Sequence, residues 1–293
     1  MAEMTALRIE TIGVCLKPEQ PDAKEVVGRL ISWAARHDIE VVVEAANAGD
    51  IEAPTADREA LCERADLVVA VGGDGTLLSV VRACGTRSVP ILGINLGTLG
   101  FLTEVNRDEM EAVLDRLRAG EIVIESRMRL DIEVERDGDV IARYLALNDV
   151  VITRTALSRM VDLRTFADGL KVTTYHGDGL IISTPTGSTA YSLSAAGPIA
   201  LPLLEAFLLT PICPHALNQR PIVLPHQTEV EVRMALTPGA EAATMTVDGQ
   251  DGLELGAHDS VVVRRSPHDA RIVTSPFRNR FEILHTKLNW GER

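Results

Sequence analysis

Aromatic residues are scarce: five Phe, three Tyr and two Trp in 293 residues. That leaves little for the base-stacking platforms of single-stranded nucleic acid binding. Lysine is scarcer still. Lys17, Lys24, Lys171 and Lys287 are its only occurrences, so nearly every cation is an arginine and any phosphate site must work with little lysine. Against 29 Lys and Arg stand 42 Asp and Glu, a formal net charge of −13 that repels a nucleic acid backbone. Nucleic acid is therefore not expected as a partner. The four cysteines, Cys15, Cys62, Cys84 and Cys213, are widely scattered without a Cys-x-x-Cys pair. Neither a disulfide framework nor a zinc site is indicated, and four reduced, mostly buried thiols are expected. None of the seven histidines has His-x-x-x-His spacing, so no histidine metal site is expected. The greasiest stretch, Ile199–Leu217, is broken by Pro202, Glu205, Pro211 and Pro214. It falls short of the roughly 20 apolar residues a membrane span requires. An acid among the first residues, with no long apolar core after it, argues against a signal peptide. A cytoplasmic chain with no membrane partner is the expectation.

What is present suits a globular protein. A hydrophobic fraction of 46% and a charged fraction of 24% exclude bulk disorder, and at about 150 residues per domain the length suggests two domains. The first third alternates textures: β-branched runs at Leu7–Leu16 and Ile39–Glu44 flank Asp22–His37, where Val26, Val27, Leu30, Ile31 and Ala34 recur at helical spacing. Ala45–Thr55 reads as a loop and Asp57–Ala65 as a short helix. A strand at Asp66–Val71 leads through a glycine cluster into a helix over Leu77–Ala83, and a strand at Pro90–Ile94 through another glycine loop into a helix over Arg107–Arg118. Strand–helix alternation predicts an α/β domain over 1–126, with a parallel sheet, helices on its faces and ligands at the carboxyl ends of its strands. From Arg127 the texture changes to strict alternation, with Leu130, Ile132 and Val134 interleaved with acids and a turn at Asp137-Gly138. Similar short runs continue to Ser260–Arg264, interrupted by one helical break at Thr189–Ala196. This predicts a β-rich domain over 127–275. The tail, 276–293, carries Phe277, Phe281, Ile283, Leu284, Leu288 and Trp290 and is expected to pack back on the first domain.

Gly72-Gly73-Asp74-Gly75-Thr76 lies between a buried strand pattern and a helix pattern. Backbone N–H groups there can approach phosphate oxygens without Cβ obstruction. It is neither a Walker A loop nor a Rossmann fingerprint. Asp74 is the odd feature, since a carboxylate among phosphates is repulsive unless a metal ion screens it or it accepts a proton. The string alone fits an Asp-Gly turn with a helix cap equally well. A second glycine loop, Asn95–Thr103, follows the next strand and should open on the same sheet edge.

In the β-rich part, Asn148-Asp149 pairs an amide with a carboxylate, which suits a nucleoside, although alone it reads first as an Asx turn. The run Asp178–Ser194 is dense in hydroxyls: seven Ser or Thr lie within Ser183–Ser194, beside Gly187 and Tyr191. Placed behind an apolar strand, it can direct amides and hydroxyls at an anionic or sugar ligand, with Tyr191 as a stacking face. Arg159 and His176 could add positive charge near a pyrophosphate, or be ordinary solvated side chains. Gln250, after the Asp248-Gly249 turn, could reach a base or ribose.

Taken together, Gly72–Thr76, Asn148-Asp149, Asp178–Tyr191, Gln219-Arg220-Pro221-Ile222 and Asp248-Gly249-Gln250 closely resemble bacterial NAD kinases, over essentially the whole chain. The resemblance implies an α/β Rossmann-like domain, a β-rich domain, a site in the cleft between them, and a homodimer or homotetramer. It implies transfer of the γ-phosphoryl group of ATP to the 2′-hydroxyl of the adenosine ribose of NAD, giving NADP. Asp74 would be the general base, and Mg²⁺ would be held mainly through the phosphates, with no protein metal ligand. Gly72, Gly73, Gly75 and Thr76 would cradle phosphates. Asn148, Asp149, Asp178, Thr189, Ala190, Tyr191, Ser192, Leu193, Ser194 and Gln250 would hold NAD, with Arg159 and His176 beside them. Family members usually carry Asn-Glu where this chain has Asn148-Asp149, an acid shorter by one methylene. Polyphosphate in place of ATP, NADH in place of NAD, and feedback by NADP are left open. Two alternatives share some of these features. A lipid kinase would use the same glycine–acid loop but needs a broad apolar pocket, and a non-catalytic NAD(P) sensor would need an output module that this sequence does not offer.

Overall fold

The computed structural model describes residues 2–4, 7–18, 20–155, 160–216, 218–235 and 243–290. The chain divides into two units, Met1–Ser126 with Ala270–Arg293, and Arg127–Asp269.

The first unit opens with β1 (Ala2–Met4) and β2 (Thr11–Leu16), then α1 (Pro21–Ala35), β3 (Glu40–Glu44), α2 (Ala45–Ala48), β4 (Thr55–Ala56) and α3 (Arg58–Arg64). There follow β5 (Leu67–Val71), α4 (Asp74–Ala83), β6 (Pro90–Asn95), β7 (Val105–Asn106), α5 (Met110–Ala119) and β8 (Val123–Arg127). Every residue of β5 and β6 is buried. A strand covered on both faces needs a continuous apolar run rather than alternation, and β2, β3, β5 and β6 pair in parallel. α1 begins with Pro21, whose missing N–H costs nothing at a helix start, and turns Val26, Val27, Leu30 and Trp33 into the core. Asp57 caps α3 by accepting from Ala60 N at 2.7 Å. The loop expected over Ala45–Thr55 instead contains the single turn α2, closed by Gly49 at φ +58°, a conformation that favours glycine.

The expectation of four reduced thiols needs correction. Cys62 on α3 and Cys84 at the end of α4 form a disulfide, with Cα atoms 5.0 Å apart. Their separation of 22 residues carried no sign of this, because it is the packing of α3 against α4 that brings them together.

The second unit comprises β9 (Leu130–Arg136), β10 (Asp139–Ala146), β11 (Asp149–Arg154), β12 (Val161–Ala167), β13 (Leu170–Gly177), β14 (Gly179–Ser183), α6 (Tyr191–Ser194) and β15 (Ala206–Ile212). It continues through β16 (Ile222–Pro225), β17 (Val230–Met234), β18 (Ala243–Val247), β19 (Asp251–Leu255) and β20 (Asp259–Arg265). Among the described residues these form two antiparallel six-stranded sheets, ordered β10-β9-β20-β17-β12-β13 and β16-β15-β14-β11-β18-β19. Alternate residues from both sheets, among them Ile132, Val150, Leu163, Ile182, Val232 and Met245, meet in one core. The other face of β11 and β14 is apolar as well, where Val151, Ile181 and Ile212 pack with Ala195. The segment behind β14 is thus folded down onto its own sheet.

The chain then returns to the first unit with β21 (Ala270–Val273) and α7 (Arg280–Leu288). β21 lies between β8 and β6 in the order β1-β8-β21-β6-β5-β2-β3-β4. The boundary therefore falls after Asp269 rather than at the expected 275, because Ala270–Val273 supplies a strand of the first sheet. α7 is held by a capping box at Asn279 and Glu282, by Arg278 on Glu109 at 2.6 Å and by Arg280 on Glu125.

Candidate functional site

In the first unit, β2, β5 and β6 end side by side, so the loops after them share the carboxyl edge of the sheet. Lys17 N donates to Val71 O, and Gly72 N to Ile94 O, both at 2.9 Å. Lys17, Gln20, Gly72, Gly73, Asn95 and Gly97 are among the residues lining a cavity of about 400 Å³ at this edge. That lies in the size range of small-molecule sites.

Asp74 is not in the loop, where its sequence setting placed it, but in the first turn of α4, with Gly73 as N-cap. An acid there complements the helix dipole. Its carboxylate is gripped by the second glycine loop: Phe101 N donates to Oδ2 at 2.9 Å, while Leu102 N at 3.1 Å, Thr103 N at 2.9 Å and Thr103 Oγ1 at 2.9 Å donate to Oδ1. Oδ2, with one bond, keeps acceptor capacity. The gripping loop is itself braced by the buried amide of Asn95, which donates to Thr98 O at 2.6 Å and accepts from Gly97 N at 2.6 Å. Gly100 is required by close approach, since a Cβ there would stand 2.7 Å from Asp74 Cγ. Asn95, Gly100 and Thr103 belong to the second glycine loop noted in the sequence, but none was given a role there; the signal was that both glycine loops open on one edge.

In the second unit a tight cluster forms around Asn148. Asp248, in the β18–β19 turn at φ +50°, accepts from Leu147 N at 2.9 Å, Asn148 N at 2.7 Å and Asp149 N at 3.1 Å. Thr184 N donates to Asn148 O at 2.8 Å, and Thr184 Oγ1 to Leu147 O at 2.6 Å. Gly187 lies so close that a Cβ would stand 2.7 Å from Asn148 Cα. Asn148 Oδ1 is buried without a hydrogen-bond partner among the described residues, an acceptor available to a ligand donor. Asp149 is 4% exposed, and burial, reinforced by the charge of Asp248, pushes its carboxyl up to about 7. Asp248, read from sequence as part of a turn, turns out to hold this cluster together.

The hydroxyl-rich segment behaves differently from expectation. Ser188 Oγ donates to Pro185 O at 2.7 Å and accepts from Ala200 N at 3.0 Å. Ser192 Oγ bonds to Thr210 Oγ1 at 3.0 Å. With Thr184, these hydroxyls are fully buried and shape the segment from inside, because a loop folded against a sheet must satisfy its own buried polar groups. Tyr191 and Ser194 are exposed, while Thr189, Ala190 and Leu193 are half-buried.

Asp178 and His176 do not join the Asn148 cluster. In the β11–β14 register Asp149 faces Ser183 and Thr153 faces Gly179. Asp178 is therefore about 17 Å from Asp149 along the strand, at roughly 3.4 Å per residue. There it pairs with Arg154 at 2.7 Å, and His176 pairs with Asp162 at 2.6 Å. Gln250 N bonds to Val247 O in the β18–β19 turn. Arg159 lies outside the described residues. Among the described residues no three His, Cys, Asp or Glu side chains converge as a metal cage, and no helix is long and apolar enough to cross a membrane.

Known proteins match both parts of the chain. The family model for the ATP-NAD kinase N-terminal domain covers residues 12–122, and that for the ATP-NAD kinase C-terminal domain covers residues 147–275. NAD kinase of Geobacter sulfurreducens is 46% identical over 290 residues, spanning 97% of this chain and all of that protein. NAD kinase of Solibacter usitatus is 44% identical over 288 residues, 97% of this chain and 99% of that protein. The crystal structure of yeast NADH kinase complexed with NADH superposes with a TM-score of 0.90 at 27% identity, covering 97% of this chain and 89% of that one. An NAD kinase from Archaeoglobus fulgidus in complex with ATP superposes with a TM-score of 0.77 at 27% identity, covering 95% and 98%. The chain belongs to the NAD kinase family.

Proposed function

We propose that this protein transfers the γ-phosphoryl group of ATP to the 2′-hydroxyl of the adenosine ribose of NAD, producing NADP. The observation that carries the reading is the gripped carboxylate of Asp74 at the start of α4, on a sheet edge lined by glycine loops. Phosphoryl transfer rests mainly on positioning and charge stabilisation, so a modest base held in one orientation is sufficient. Asp74 Oδ2 takes the hydroxyl proton. The ribose oxygen forms its bond to the γ-phosphorus as the bond to the β–γ bridging oxygen breaks, and ADP leaves with that oxygen.

Gly72, Gly73, Gly75 and Thr76 are assigned to the donor phosphates as the turn that lets them approach closely, with Gly72 N and Thr76 N already donating to Ile94 O and Gly73 O. Mg²⁺ is carried on those phosphates and neutralises their charge when bound. The described residues build no cage of three ligating side chains, so the ion would be held through the phosphates, leaving Asp74 Oδ2 for the hydroxyl. NAD contacts are assigned to Asn148, Asp149, Thr189, Ala190, Tyr191, Leu193, Ser194 and Gln250. The unpartnered Asn148 Oδ1 suits an exocyclic amine of a base. Ser192 contributes through the backbone, its hydroxyl being committed to Thr210. A homodimer or homotetramer in the cytoplasm is the setting that family membership supports. Incubation of the purified protein with Mg·ATP and NAD, with NADP detected by an NADP-specific dehydrogenase, tests the reading. Absence of NADP formation overturns it.

A further inference from the structure

We propose that Lys17 is the cation that anchors the phosphate chain of the donor. The inference rests on reading the glycine-lined edge of the first unit as the donor site. A triphosphate needs positive charge, yet the glycine loop contains no lysine, and only four lysines occur in the chain. Lys17 follows directly after β2, and its backbone N–H is tied to Val71 O, the residue before the glycine pair. Its Cβ lies against Gly72, so the side chain starts beside the loop and lines the same cavity as Gly73 and Asn95.

Neighbouring cations are already engaged. Lys24 pairs with Asp50, Arg58 with Glu44 at 2.7 Å, and Arg107 with Asp22 at 3.3 Å. Lys17 makes no ion pair among the described residues, and its side chain is exposed to the cavity mouth. Asp22 also lines this cavity, and its pairing with Arg107 offsets the repulsion it would exert on an anion. Lys17 and Gln20 line a second cavity as well, of about 570 Å³, which extends toward Asn47 and Gly49. Lys17 thus stands where the two cavities share residues, a position from which one ammonium can hold a chain of phosphates whose remainder occupies the adjoining space. Adenosine triphosphate and inorganic polyphosphate present the same chemistry to it.

The test is binding of Mg·ATP, and separately of Mg·polyphosphate, to wild type and Lys17→Met by calorimetry without NAD, beside steady-state kinetics. Loss of one charge-assisted contact to phosphate is expected to weaken donor binding roughly 10-fold or more, and the deficit should shrink at high salt. The KM for donor should rise in parallel, with the KM for NAD and the melting temperature unchanged, and Lys17→Arg should restore most of the loss. Equal donor affinity in wild type and Lys17→Met overturns the assignment, as does a wild type that binds neither donor. A wild type that binds ATP but forms no NADP overturns the kinase reading, while the binding comparison still decides the role of Lys17. Weakening in only one donor arm supports the anchor and identifies which phosphate chain it serves.

Discussion

Thr103 holds Asp74 twice, through its backbone N–H and through Oγ1, both donating to Oδ1 at 2.9 Å. Two donors from one residue determine the plane of the carboxylate, and Phe101 N on Oδ2 sets which oxygen stays partly free. The helix that presents the acid and the loop that grips it follow adjacent parallel strands, β5 and β6. Three of these four donors are main-chain N–H groups, so the carboxylate is oriented mainly by backbone.

Asp74→Asn removes the proton acceptor but keeps the shape. Turnover should fall by roughly 10²-fold or more, the usual scale for loss of a general base, while NAD binding persists. Steady-state kinetics with an NAD titration decide this, and wild-type turnover would remove Asp74 from the mechanism.

Gly100→Ala tests the grip rather than the acid. A Cβ at this position would stand 2.7 Å from Asp74 Cγ, so either the loop or the carboxylate must move. A fall in kcat of at least roughly 10-fold is expected, since displacement of a catalytic group by about 1 Å carries a large penalty. Far-ultraviolet dichroism should remain native, and an unchanged kcat would show that the carboxylate needs no fixed orientation.

Gly187→Ala should act on the other substrate. Its Cβ would enter the backbone of Asn148, at 2.7 Å from Cα, and that backbone cannot yield without breaking the Thr184 N to Asn148 O bond. The KM for NAD is expected to rise and the melting temperature to drop, with the KM for ATP little changed. A variant with wild-type affinity for NAD would separate Asn148 from the NAD site.

The buried carboxyl of Asp149 makes stability depend on pH. Its folded value of about 7 lies above the ordinary 3.8, so the folded protein binds more protons than the unfolded chain between these values. Stability contributed by this group is intact below pH 4, declines as the pH rises toward 7, and is level above that. Asp149→Asn carries no such charge. Relative to wild type it should gain a few kcal/mol between pH 4 and pH 7. Denaturant melts at several pH values check the sign, and a constant difference would place a charged, solvated carboxylate at this position.

Much of the fold was legible in the residues. The apolar run Leu67–Val71 and the helical spacing of Val26, Val27, Leu30 and Ala34 specify βα units locally, because burial on both faces or on one stripe leaves a period in the sequence. The Asp-Gly pairs at 137 and 248 announced turns, and both aspartates take positive φ. The Gly72–Thr76 motif likewise marked the connection between a buried strand and a helix, β5 and α4. What no local pattern contained was the partner of each polar group. The donors to Asp74 lie 27 to 29 residues away, and Asp248 reaches back about 100 residues to the amides of Leu147, Asn148 and Asp149. The packing of α3 on α4 joined Cys62 to Cys84, and strand register parted Asp178 from Asp149. Periodicity is written by the chain's own neighbours and can be read along it. Hydrogen-bond partnership and close approach depend on which distant segments the sheets bring together, and only the folded molecule decides that.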